Sequence, residues 1–310
     1  MKKNILFHLL LLLSAVSVFS CGDSIEEQRR LSREERARLL REDSLSLKVA
    51  TLPTLDCMPL FVAKELRLFD TLHVDVHLKP QESQMDCDEV MRKGTVEGSV
   101  SDLVRCQRLE RRGIPLRYVA ATNAYWQFIS NRLARITELK QMEDKMVGMA
   151  RYSITDMLSD MAVDSAKLKT EYVFRVQMNN PAIRLSMLLN NEIDAIIVTE
   201  PQATTARLYK HPVLMDSQKK DLCMGVVAFR EKALHDKRRS EQLRLFLKAY
   251  DMACDSLNKN GLQRYADIIS RYTKADDKTI KALPHLRFPH AGTPRQKDIE
   301  RAGKWLSRSL

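Results

Sequence analysis

Residues 180–201, NPAIRLSMLLNNEIDAIIVTEP, hold one complete helix-to-strand step. Asn180 is a natural N-cap, and Pro181 suits the first helical position, where its missing N–H has no helical partner to lose. The helix is expected to end near Asn190 and Asn191. Ile193–Val198 then reads as a buried strand, and Glu200-Pro201 must stop it because proline cannot continue the ladder.

Working outward, the same alternation recurs. Met146–Ala150 is a strand, Ser153-Ile154-Thr155-Asp156 has the form of a capping box that opens a helix, and Tyr172–Val176 is the next strand. Upstream, Leu47–Leu52 reads as a strand, Pro59–Leu68 as a helix and Leu72–Leu78 as a second strand. On that strand Leu72, Val74, Val76 and Leu78 share one face. His73, Asp75 and His77 share the other, either as an exposed edge or as a metal-ligating trio. A helix near Asp86–Lys93, a strand at Val96–Val100, a helix over Asp102–Arg112 and a strand at Pro115–Ala121 follow. After a strand around Tyr125–Arg132 the pattern restarts, Leu222–Phe229 adds a late strand, and the remainder is mainly helical, including Ser240–Leu257. Strands alternating with helices give parallel sheets flanked by helices. The expected fold is α/β with two lobes, each a mainly parallel sheet, and two crossings between them. The expected divisions are 1–20, 21–46, 47–124 and 125–220, with 221–310 returning to the first lobe.

Residues 1–21, MKKNILFHLLLLLSAVSVFSC, carry a basic start, an apolar core and a small residue before Cys21, which makes an export signal. Val18-Phe19-Ser20-Cys21 resembles a lipobox, with Phe19 where a small residue is usual; lipidation is expected at Cys21. The other reading is an ordinary secretory signal in which Cys21 is incidental. Either way the mature protein is expected outside the cytoplasm, facing the periplasm or exterior, held by a palmitate-type lipid anchor. Gly22–Ser46, charged with both signs at helical spacing, reads as a tether.

The formal charge of +11 falls to +9 when Lys2 and Lys3 leave with the signal. Such a balance attracts acidic partners, but export and the lack of RNP, zinc-finger or helix-turn-helix signatures exclude nucleic acid. Of six cysteines, Cys21 is assigned to lipid, leaving an odd five with no C-x-x-C. No zinc site, other metal or cofactor is expected; one bridge among Cys57, Cys87 and Cys106 is open, with buried unpaired thiols the commoner outcome.

Leu52–Phe69, LPTLDCMPLFVAKELRLF, resembles the opening of type II periplasmic solute-binding proteins of the nitrate, sulfonate, taurine and thiamine-pyrimidine group, with Arg67 where glycine is usual. Met187–Pro201 resembles that group's Ile-Asp-Ala…Glu-Pro segment at the second crossing, with Asn191 in place of glycine. Met146-Val147-Gly148-Met149-Ala150 is similar to the strand that opens its second lobe. The resemblance spans Leu47 to about Leu257. It implies the type II periplasmic-binding-protein fold and a monomeric binder that captures a small-molecule solute and passes it to ABC permease subunits.

A cleft that closes on a solute draws its polar groups from strand ends and helix N-termini. Four loops supply the candidate ligand-binding residues: Thr54 and Asp56, Ser99 and Asp102, Asn123 and Tyr125, and Ser153 with Glu200. Each has a plainer role as a turn or cap residue. Tyr125 and Trp126 could stack on a planar ligand or pack in the hinge. The carboxylates of Asp56, Asp102 and Glu200 near one cleft would favour a zwitterion or an amino-substituted heterocycle over a bare anion. Enzyme function is not expected, because no G-x-S-x-G, H-E-x-x-H, P-loop or G-x-G-x-x-G motif occurs. The alternatives are a lipoprotein that senses ligand without transport, or an enzyme on this fold.

Overall fold

Short apolar runs closed off by caps become two five-stranded sheets among the described residues, which are 44–309 with Glu35 and Arg38, in a computed structural model. The export signal, Cys21 and most of the tether lie outside the described residues. The first sheet holds β1 (Leu47–Thr51), β2 (Val76–Pro80), β3 (Gly98–Asp102), β4 (Leu116–Ala121) and β10 (Gly225–Arg230) in the order β2-β1-β3-β10-β4. Its helices are α1 (Met58–Glu65), α2 (Leu68–Thr71), α3 (Gln84–Lys93) and α4 (Leu103–Arg111). The second holds β5 (Gln127–Ser130), β6 (Lys145–Met149), β7 (Val173–Gln177), β8 (Ala195–Val198) and β9 (Val213–Asp216) in the order β7-β6-β8-β5-β9. Its helices are α5 (Ile154–Ala166), α6 (Pro181–Leu189) and α7 (Gln202–Leu208). After β10 come α8 (Glu231–Leu234), α9 (Lys237–Asn260), α10 (Ala266–Thr273), α11 (Asp277–Lys281) and α12 (Gln296–Ser309).

In each sheet four strands run one way and one strand is reversed: β10 in the first and β5 in the second. The reversed strands are those that follow a crossing. At the crossings the two chain segments lie side by side, Trp126 N–H donating to Ser217 Oγ (2.8 Å) and Ser217 N–H to Trp126 O (2.9 Å). Thr122 N–H meets Gly225 O at 2.9 Å. A Cβ at Gly225 would stand 2.1 Å from Thr122 Oγ1 and 2.7 Å from Ala124 Cβ, so only glycine lets these backbones touch.

Two positions where the resemblance expected glycine are left-handed. Arg67 has φ 55° at the joint between α1 and α2, and Asn191 has φ 62° beyond α6. Asn tolerates that region; Arg67 accepts the steric cost and donates its Nε–H to Asp70 (2.8 Å).

Several expectations need correction. The strand expected at Leu72–Leu78 begins only at Val76, because the turn after α2 puts His73 at φ 52°. The His73, Asp75 and His77 trio therefore has no common strand face, and His77 meets Asp75 (3.1 Å). The capping box at Ser153 is half made: Ser153 accepts from Thr155 N–H, but Asp156 turns to Tyr152 N–H (2.8 Å). Strand β9 is an addition to the expected elements. It keeps the chain in the second sheet until 217–224, so Glu200-Pro201 is not at the second crossing but at the carboxyl end of β8.

The C-terminal helix links the lobes. Helix α12 lies against α4, with Gln107 donating to Ile299 O (2.6 Å), while Trp305 Nε1 donates to Asp160 of α5 at 2.6 Å.

Candidate functional site

The lobes meet along a narrow cavity walled by the carboxyl ends of strands from both sheets. After β1 come Leu52, Thr54 and Asp56; β3 contributes Ser101, and the first crossing contributes Trp126. From the second lobe, Asn179, Pro181 and Arg184 follow β7, and Val198 and Thr199 close β8. Ligands of open α/β sheets bind at such ends because the chain turns there and frees polar groups.

Two buried side chains of this wall hold polar atoms that nothing in the protein satisfies: Ser101 Oγ and Arg184 Nε. Arg184 is 4% exposed. Its Nη1 donates to Ile197 O and its Nη2 to Asn179 O (3.3 Å), and among the described residues no carboxylate pairs with it. Burial, with Arg105 close by, holds its guanidinium down at about 10. Asp56 is also buried, and burial raises its carboxyl against the opposing bonds from Thr54 and Thr122.

Thr54 and Asp56 thus reach the cavity wall; the other six proposed residues do not line it. Ser99 sits deeper in β3, its hydroxyl on Val100 O (3.0 Å), and Ser101 on the same strand face takes its place. Asp102 Oδ1 accepts from Arg105 N–H (3.1 Å) and, across the gap, from Ile154 N–H at the start of α5 (3.2 Å). Asn123 is half-buried with an unpartnered Nδ2. Ser153 binds Ala150 O (2.7 Å) and caps α5.

Tyr125 donates its hydroxyl to Glu200 Oε1 (2.5 Å), and its neighbour Trp126 is the ring on the wall. Glu200 itself is 2% exposed. Besides Tyr125 it accepts from Arg207 (2.6 Å) on Oε1, and from Thr204 N–H (2.9 Å) and Thr204 Oγ1 (2.7 Å) on Oε2. A carboxylate with four internal donors has no acceptor site turned to a ligand. The contact expected between Glu200 and a ligand donor is therefore corrected: the protein uses it to join the first crossing to α7.

Of the three carboxylates that argued for an amine-bearing solute, Glu200 is thereby engaged elsewhere and Asp102 through Oδ1, its Oδ2 being buried without a partner, and the residue that changes the sign is Arg184. A signal for it existed: it is the only charged residue between Asn179 and Asn191. Further bonds draw the lobes together, Leu55 N–H on Glu200 O (3.1 Å), Arg105 Nη1 on Arg151 O (3.3 Å) and the Arg108 guanidinium 4.3 Å over the Tyr152 ring. All five described cysteines are free, Cys223 exposed and the others buried. Among the described residues no cluster of His, Cys, Asp and Glu could hold a metal ion, and no helix is long and apolar enough to cross a membrane.

Solved structures share this architecture at low identity. The ligand-binding component of an ABC-type import system from Staphylococcus aureus, with zinc bound, superposes with a TM-score of 0.72 at 15% identity, covering 85% of this chain and 91% of that one. The alkanesulfonate-binding protein SsuA from Xanthomonas axonopodis pv. citri, bound to MOPS, gives 0.71 at 11% identity over 84% and 90%. The periplasmic nitrate-binding protein NrtA from Synechocystis PCC 6803 gives 0.67 at 13% identity over 82% and 74%. These likenesses establish the periplasmic-binding-protein fold. No curated protein matches the sequence. The family model described as NMT1/THI5 like matches residues 54–260, two thirds of the sequence, and the chain belongs to that family.

Proposed function

We propose that this protein is an extracytoplasmic solute-binding component of an ABC importer, held to the membrane by lipid on Cys21 with residues 21–46 as its tether. It acts as a monomer that encloses a small organic solute between its lobes, without catalysis. The observation that carries this reading is the interlobe cavity, whose wall holds the buried, unpartnered Ser101 Oγ and Arg184 Nε. Buried polar atoms left without partners are rare, and a cleft that closes on a ligand supplies partners for them. The fold shared with proteins described as import and periplasmic binding components supports the same reading.

Native mass spectrometry of the purified protein is expected to release a retained solute. That solute at 100 times its Kd should stabilise the fold by about 2.7 kcal/mol in a melt. Metabolic labelling with a fatty-acid probe should mark the wild type and not Cys21→Ser. No retained solute and no stabilisation by any metabolite of a broad panel would end the binding claim, and equal labelling of both proteins would end the anchor.

A further inference from the structure

We propose that the solute is an organic acid whose oxyanion docks on the free edge of Arg184 and takes a further hydrogen bond from Ser101, an assignment that rests on the cavity being the solute site. A guanidinium has five N–H groups. Arg184 commits one from each Nη to the backbone carbonyls of Ile197 and Asn179, and its Nε–H has no partner. The remaining donors suit two parallel hydrogen bonds to one oxyanion, the geometry that distinguishes arginine from lysine.

The electrostatics agree. Burying a cation with only carbonyl partners leaves its charge uncompensated, and the charge of Arg105 adds a like-charge repulsion. Arg105 is itself neutralised by Asp88 at 2.5 Å, and Asp102 is held by two backbone N–H groups. Glu200 is paired with Arg207. The one carboxyl on the cavity wall is Asp56, whose pKa burial raises against the opposing bonds from Thr54 and Thr122. Ser101 comes from the first lobe and Arg184 from the second, so an oxyanion between them would join the lobes. Leu52, Val198 and Trp126 leave apolar wall for the rest of the acid.

The test compares the wild type, Arg184→Met, Arg184→Lys and Ser101→Ala. Solute released from each purified protein is identified by mass spectrometry, and each is melted with propionate, ethanesulfonate, propionamide and propylammonium as probes. The wild type is expected to release an acid and to be stabilised by propionate or ethanesulfonate, the stronger of the two telling carboxylate from sulfonate. The amide and the ammonium should do nothing. Losing the charged bond should weaken acid binding roughly tenfold or more in Arg184→Met, with partial recovery in Arg184→Lys. Ser101 Oγ has no protein neighbour to bond beyond the weak Cys106 thiol, so Ser101→Ala should melt close to normally and weaken the acid about fivefold; it carries the test if Arg184→Met does not fold. A neutral or cationic solute held equally by the wild type and Arg184→Met would overturn the anion assignment and leave the solute-binding reading standing. No solute and no response to any of the four probes would remove both.

Discussion

Glu200→Ala is expected to lower the free energy of unfolding by about 3 kcal/mol, read as a drop in the urea midpoint. The substitution strands three buried donors, the Tyr125 hydroxyl, the Thr204 N–H and the Thr204 hydroxyl, and a buried donor without a partner costs about 1–3 kcal/mol, the hydroxyls least because they can turn to other acceptors. Arg207 adds little, because its side chain is 29% exposed and water can replace the carboxylate. Glu200→Gln, which keeps one acceptor oxygen, should lose less. The result that would reverse this assignment is an unchanged midpoint together with lost solute binding, since the carboxylate would then face the ligand after all.

The second large effect is a dependence on pH centred on Asp102. Burial pushes its carboxyl up to about 7 from the ordinary 3.8, against the pull of Arg105 and of the two N–H bonds. Below about pH 4 both folded and unfolded chains hold this proton, and its contribution to stability is complete. Between about pH 4 and 7 the unfolded chain has lost the proton and the folded chain keeps it, so stability falls as pH rises. A tenfold difference in proton affinity between the two states is worth about 1.4 kcal/mol, which puts the total on the order of 4 kcal/mol. Asp56, Asp88 and Asp156 are raised as well, so the informative quantity is the difference between the wild type and Asp102→Asn. The amide keeps an oxygen for Arg105 N–H and Ile154 N–H and removes the titration. Urea unfolding at pH 5 and pH 7.5 should show a steeper loss in the wild type; parallel losses would mean that Asp102 titrates as an ordinary surface carboxylate.

The order of strands and helices was legible because the signals are local. Asn180-Pro181 opens α6, Asp102 caps α4, and the apolar runs of β1, β4, β6 and β8 stand between polar loops. Strand β9 was not legible, since it is a four-residue edge strand whose apolar run, Val213–Met215, is only three residues long and begins with the exposed Val213. The site was only half legible for a different reason. Loops that end strands can be read from the sequence, and Thr54 and Asp56 follow from that. Which carboxylates remain free depends on partners far along the chain: Asp102 is answered by Ile154 and Glu200 by Tyr125, 52 and 75 residues away. Arg184 becomes prominent only by elimination, once Asp102 and Glu200 are seen to be held by partners of their own.

The bond from Trp305 to Asp160 gives the molecule an optical property. The chain has two tryptophans, one on the cavity wall and the other spanning the lobes from the last helix. Any relative movement of the lobes changes the solvent around both indoles, so intrinsic emission records closure without an added dye. Trp305→Phe would leave Trp126 as the sole emitter, and its spectrum would separate events at the wall from the release of the terminal strap.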